Sequence, residues 1–281
     1  MNSKKDPMGR AIADYFKSKK ASKLRVFSPM FEEDEIPLAT LFRSYESMPE
    51  IERKALDMAK GRVLDVGAGS GCHSLVLQEK GLDVTAIDIS PLSVETMKDR
   101  GVKKVLEQNF FTIDGQYDTI LMLMNGIGIV GALERLPEFF KQLDNILAPR
   151  GQVLCDSSDI SYVFETEDGI IELPEDMTYY GEHSFQMQYK DTACPRCYYF
   201  CIQKYSSVYC YLLHIFNTNT IQNDQILFCN ILDHMSYEIK SLAFIKMYVN
   251  KLTDQFLSAL EVNQSIIGHT ARYKSFVLLI K

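Results

Sequence analysis

Between Arg62 and Ser158 short apolar runs alternate with stretches of helical period. Residues 62–66 (Arg-Val-Leu-Asp-Val) read as a buried strand running into a glycine-rich turn, then a helix from Ser70 to Lys80 that stops at Gly81. Residues 83–87 form the next strand. Ser90 before Pro91 marks a helix start, an N-cap followed by the residue whose fixed φ suits the first helical position. That helix runs to Arg100 and ends at Gly101. Residues 102–106 and 117–124 read as buried strands and 132–147 as an amphipathic helix; a fifth strand over 152–156 follows the breaks at Pro149 and Gly151. Strands alternating with helices of about 10–15 residues predict βαβ units. The fold class is therefore α/β, a mostly parallel, Rossmann-like sheet with helices on both faces.

The pattern changes on both flanks. Met8, Ile12, Tyr15 and Phe16 share one face of a helix over 8–20, with lysines on the other. Residues 1–60 are thus expected as a helical cap and 61–158 as the core. Residues 1–25 hold eight Lys or Arg against two Asp, a solvated face in the plain reading and a tether for an acidic surface in the sharper one. Residues 159–192 read as an antiparallel flap: a β-hairpin turning at 167–169, inserted after the fifth strand, and an alternating strand over 184–189. The tail, 193–281, holds one of the 15 glycines and 13 charged residues in 89, a sharp drop in both. Within it Lys240–Leu260 reads as a helix and Ser275–Ile280 as a last strand that would complete the sheet. The alternative is a tail unrelated to the rest, as a shifted reading frame would leave it.

Composition narrows the class. With 281 residues, 46% hydrophobic and 24% charged, the chain suits a globular fold with a sizeable core. It has no apolar run of about 18 residues, which argues against a transmembrane helix. The basic start lacks the apolar stretch of a secretory signal, and seven cysteines without regular spacing fit a reducing cytoplasm, the expected location. A net charge of -7 argues against general nucleic-acid binding.

The chemistry concentrates in residues 63–73, Val-Leu-Asp-Val-Gly-Ala-Gly-Ser-Gly-Cys-His, where Gly67, Gly69 and Gly71 open a helix after a strand. Such a turn brings backbone N–H groups close to a ligand. The dinucleotide fingerprint G-x-G-x-x-G would put its third glycine at Cys72, and no Gly-Lys-Ser/Thr follows as a P-loop needs. Asp88 ends the second strand, where a carboxylate can accept both hydroxyls of a ribose. A glycine turn with a ribose acid and no pyrophosphate loop suits a nucleoside cofactor without phosphates, S-adenosyl-L-methionine.

Residues 63–71, 86–91 (Ala-Ile-Asp-Ile-Ser-Pro), 116–120 (Gln-Tyr-Asp-Thr-Ile) and 147–151 (Leu-Ala-Pro-Arg-Gly) together resemble the class I S-adenosylmethionine-dependent methyltransferases. A bacterial group of these is similar also at Phe42-Arg-Ser-Tyr45, Met48-Pro-Glu-Ile51 and Met124-Asn-Gly-Ile-Gly128. The resemblance covers about residues 6–192. It implies that Gly67, Gly69 and Gly71 cradle the methionine portion with Asp65 near its amino group, that Asp88 holds the ribose, and that Ile89 packs on the adenine. Asn109, followed by Phe110, stands where the family usually has an acid for the adenine amino group, and Asn125 where it lines the methyl-donor site. His73, at the start of the first helix, is expected as a packed residue.

The acceptor is not legible. The sequence lacks Asn-Pro-Pro-Tyr after the fourth strand, so a nucleobase amino group loses ground and a small molecule is the expected substrate. Asp156, Asp159, Tyr162, Tyr179, Tyr180 and His183 stand near the expected mouth, with no residue singled out as catalytic. Cys194-x2-Cys197-x12-Cys210-x3-His214 has zinc-like spacing, but the aromatic and leucine of such a finger fall on Cys201 and Ser207, so no metal is expected. The competing readings are a non-catalytic cofactor-binding protein, a product with a disrupted C-terminal part, and a nicotinamide-dependent dehydrogenase.

Overall fold

The computed structural model describes residues 5–160, 163–166, 168, 172, 181–195, 197–200 and 274–280. Residues 167 and 169 of the expected turn, Tyr162, Tyr179, Tyr180, Cys210, His214 and the expected 240–260 helix lie outside these residues.

The expected parallel sheet is present. Its strands are β3 (Arg62–Val66), β4 (Asp83–Asp88), β5 (Val105–Glu107), β6 (Tyr117–Met122), β7 (Leu147–Asp159) and β11 (Lys274–Ile280), in the order β11-β7-β6-β3-β4-β5. The first five pair in parallel, and β11 runs antiparallel along β7, Lys274 opposite Asp159 and Ile280 opposite Val153. Because the strands are buried on both faces, successive residues feed two cores. Leu64, Ile120 and Val153 face one, with Leu136, Phe139, Phe140, Leu143 and Ile146 of α5 (Leu136–Ile146). Val63, Leu121 and Leu154 face the other, with Val76 and Leu77 of α3 (Cys72–Glu79) and with Ala55 and Leu56 of α2 (Glu50–Met58).

Three expected elements differ. The strand read over 102–106 is shorter and lies at the sheet edge, so Leu106 is exposed instead of buried. The helix read from 132 starts at Leu136, with Pro137 in its first turn, where a missing N–H costs nothing. The fifth strand begins at Leu147, but its pairing with β6 breaks around Arg150, held at φ 62, before resuming at Gln152.

The flanks build a second, antiparallel sheet. β1 (Leu24–Phe27) pairs with β2 (Asp34–Ile36) and with β8 (Glu182–Tyr189), which also pairs with β9 (Thr192–Ala193) and β10 (Cys197–Phe200). The first 60 residues therefore carry two strands besides their helices. α1 (Pro7–Ser18) packs Ile12, with Met8 and Tyr15 of the predicted stripe and also Ala11, into a third core with Leu24, Leu38, Leu41 and Tyr189. Its Asp6 N-cap accepts the Gly9 N–H at 2.8 Å.

Candidate functional site: the carboxyl edge of the parallel sheet

From β3 the chain winds to β4 and β5 on one side, then returns to β6 and β7 on the other. The carboxyl ends of β3 and β6 therefore diverge into a crevice, the place where open α/β sheets take ligands. The glycine turn lies at that point. Gly67 and Gly71 sit at φ 67 and 81, left-handed backbone that costs another residue roughly 1–2 kcal/mol. Their surroundings differ. A Cβ at Gly67 would meet nothing within 4 Å, whereas one at Gly71 would lie 2.9 Å from Val102 Cγ2 and 3.0 Å from Met97 Cγ. The first glycine leaves the crevice open; the last lets α3 close on α4 (Pro91–Asp99).

Asp88 is wired to that turn. Its Oδ2 accepts the Gly69 N–H at 2.9 Å and its Oδ1 the Ser90 N–H at 2.8 Å. Burial pushes its carboxyl up to about 6; the two N–H bonds pull it down, and the carboxylates of Asp6 and Asp65 add to the push. The Ser90 hydroxyl in turn donates to Asp6 at 2.6 Å, which ties the start of α1 to the support of Asp88. Ile12 of α1 stands over the turn, its Cδ1 3.8 Å from where a Gly69 Cβ would lie.

Asp65 is buried at the end of β3 and accepts the Ser74 hydroxyl at 2.5 Å. Burial raises its carboxyl, and His73 and Ser74 oppose that. Ile89, beside Asp88, is 45% exposed. Asn109 is exposed and spends Oδ1 on capping the short turn Phe110–Thr112, through the Phe111 N–H at 2.9 Å. Phe110 itself is buried in the core, its ring 5.3 Å from that of Phe139.

Beyond β6, Met124 and Asn125 both adopt φ 60, two successive left-handed residues that are not glycine. Asp156, buried in β7, accepts both of their N–H groups, Met124 at 3.1 Å on Oδ2 and Asn125 at 2.6 Å on Oδ1. Ser158 Oγ donates to Asn125 Oδ1 at 2.8 Å. Burial raises the Asp156 carboxyl to about 6, against the pull of the Asn125 N–H and with a further push from Glu52. The following turn, Gly126–Val130, packs against β10 of the antiparallel sheet. On β8, half-buried His183 meets the edge of Phe31 at 5.4 Å, and burial lowers its imidazole.

The structure also brings in residues that sequence reasoning left without a role. Glu52 of α2 pairs with Arg43 and, through Oε2, with His73 Nε2 at 2.9 Å, all three buried. Burial opposes the Glu52 charge, yet the bonds from His73 and Arg43 outweigh it and hold its carboxyl below the usual range. Ser70 of the glycine turn donates to Leu41 O and accepts from Arg100 Nη1 at 2.7 Å. The signal was Phe42-Arg-Ser-Tyr45, a motif without an assigned partner. His73 is packed, as expected, with its Nε2 hydrogen-bonded to Glu52. Cys194 is buried, its sulfur 3.1 Å from the Met187 N–H.

A family profile described as Methyltransferase domain matches residues 31–205. A SAM-dependent methyltransferase from Bacteroides fragilis, crystallised in complex with S-adenosyl-L-homocysteine, is 54% identical with a TM-score of 0.68, over 72% of this chain and 83% of that one. The protein YqeM of Bacillus subtilis (strain 168) is 30% identical over 149 residues, 43% of this chain and 60% of that protein. A ubiquinone biosynthesis O-methyltransferase from Rickettsia conorii is 30% identical over 112 residues, 37% of either chain. The chain thus spans 60% and 37% of the lengths of these two curated relatives. A profile matched over more than half of the sequence, on a sheet with a glycine turn at its switch point, identifies the chain as a member of the methyltransferase-domain family.

Proposed function

We propose that the protein transfers a methyl group from S-adenosyl-L-methionine to a small-molecule acceptor. The observation that carries this is Asp88, a carboxylate tied to the open glycine turn, in a chain 54% identical to a methyltransferase crystallised with S-adenosyl-L-homocysteine.

The residues fit that cofactor. The free space above Gly67 suits the methionine portion, with Gly69 and Gly71 shaping the turn and Asp65 behind it. Asp88 keeps lone pairs beyond its two backbone bonds for ribose hydroxyls, and exposed Ile89 offers an apolar face to the adenine. Asn109 retains a second lone pair on its oxygen for the adenine amino group, while Phe110 supports that turn from the core. Asn125 borders the methyl-donor end.

When bound, the cofactor supplies an electrophilic methyl group already activated by its sulfonium. The protein then has to align donor with acceptor and exclude water, a contribution of roughly 7–11 kcal/mol to the barrier. Asp88 and the glycine turn hold the donor, and the antiparallel sheet packed on 126–130 screens the acceptor side. No membrane-spanning helix occurs among the described residues, and three buried cysteine thiols suit a reducing cytoplasm.

A methyl-labelled donor incubated with the protein and a metabolite extract tests the reading. Label should enter the low-mass fraction; label only in protein or nucleic acid would contradict a small-molecule acceptor. Binding without any transfer would favour the non-catalytic alternative.

A further inference from the structure

We infer that Asp156 is a positioning residue, whose buried carboxylate holds the left-handed Met124–Asn125 turn at the crevice and so sets where Asn125 stands toward the methyl donor. The inference rests on the methyl-transfer reading and deepens it.

The geometry argues for a clamp and against a base. Asp156 is 6% exposed, and each of its oxygens takes one backbone N–H from consecutive residues. A group that abstracts a proton from an acceptor needs access to it; this carboxylate is buried and both its bonds go to the turn. The turn in turn needs the carboxylate. Met124 and Asn125 both hold a backbone conformation that side-chain-bearing residues disfavour, and such strain persists only where surroundings over-determine it. Here the surroundings are Asp156 on the backbone and Ser158 on the Asn125 amide, two residues of one strand two positions apart and so on the same face. The clamp belongs to β7 and the clamped turn follows β6 directly, so the pairing of these two strands aligns them.

The charged groups around Asp156 are Glu52 from α2 and His73 from α3, which push its carboxyl up and down respectively. Protonation would remove the charge from both bonds and make one oxygen a hydroxyl, a poorer acceptor, so that the hold on the turn weakens. The clamp is therefore held at neutral pH and loosens as pH falls below about 6.

Backbone amide NMR on the unmodified protein tests this without any variant. An N–H bonded to a carboxylate shifts as that carboxylate titrates, so the amides of Met124 and Asn125 should titrate together with a midpoint near 6. His73→Gln should retain that titration and Asp156→Asn should abolish it. Asp156→Asn sets an NH2 group against a backbone N–H; the two amides should exchange about tenfold faster or more, the scale of one lost bond to a charged group. Affinity for S-adenosyl-L-homocysteine, the probe, should fall by about as much, while protection across 62–66 and 117–121 stays unchanged. Amides of 124 and 125 that do not titrate, or an Asp156→Asn protein with unchanged exchange and probe affinity, would overturn the clamp. An unmodified protein that binds no probe overturns the methyl-transfer reading, and the positioning role with it, even if the amides titrate.

Discussion

Three buried side chains, Arg43, Glu52 and His73, show how a single residue can decide the N-terminal part of this fold. Glu52 is the shared carboxylate, so Glu52→Leu would leave two potential cations buried without a counter-charge. Removing one partner of a buried ion pair costs about 3–5 kcal/mol. Urea unfolding should register a loss of that size, and a change under about 1 kcal/mol would mean that the pair is dispensable. Asp88 carries a signed prediction. Its folded carboxyl is raised to about 6, above the ordinary aspartate value of 3.8, so the contribution of this group to stability is fully present below pH 3.8 and is lost as pH rises through 6. Stability of the unmodified protein relative to Asp88→Asn should therefore fall by on the order of 2–3 kcal/mol between pH 4 and 7.5. Cofactor affinity should move the other way, because the ribose needs the charged carboxylate. Parallel unfolding and binding curves at the two pH values would check both signs.

At the scale of elements, the glycine turn separates stability from binding. Gly71→Ala combines a left-handed backbone with a Cβ pressed on Val102 and Met97, so it should lose about 2–4 kcal/mol of stability. Gly67→Ala meets no such contact and should lose only about 1–2 kcal/mol. The added methyl group would nonetheless occupy the cofactor's approach, so affinity for S-adenosyl-L-homocysteine should collapse. Thermal melts and calorimetry on the two variants would show whether the effects divide in this way. The same segment was the most legible part of the sequence, because strand, glycine turn and helix are set by contiguous residues. Ser90-Pro91 marked a helix start for the same reason, and the structure has Ser90 Oγ accepting the Ser93 N–H. Leu106 was misplaced because a short apolar run reads alike in a central strand and at an edge. Met124 carried no sequence signal for positive φ, and Asn125 only the general tolerance of Asn for it, since the carboxylate that holds them comes 32 and 31 residues later.

At the scale of the molecule, the two sheets differ in how far their contacts reach along the chain. In the parallel sheet single crossovers join β3 to β4, β4 to β5 and β6 to β7, so periodicity exposed these neighbours, while β3–β6 and β7–β11 pair across longer stretches of chain. The antiparallel sheet joins Leu24 to Tyr189 and Phe27 to Gln186, pairings with no local trace. α1 is fastened to its far end by Arg10 to Thr192 at 2.7 Å and by the Tyr189 hydroxyl to Asp14 at 3.0 Å. Tyr189 is almost wholly buried between them, so Tyr189→Ala should cost about 3–5 kcal/mol, as other large aromatic truncations do. Because Ile12 and Asp6 of α1 lie over the glycine turn and the support of Asp88, the same change should also weaken cofactor binding.

Calorimetric titration of S-adenosyl-L-homocysteine into the unmodified protein and Asp88→Ala is the decisive measurement of whether this carboxylate holds the donor. The unmodified protein should show saturable one-site binding, weakened in Asp88→Ala by about 1.5–3 kcal/mol, the scale of hydrogen bonds lost from a charged group. No heat with this ligand, together with saturable binding of a nicotinamide dinucleotide, would contradict it.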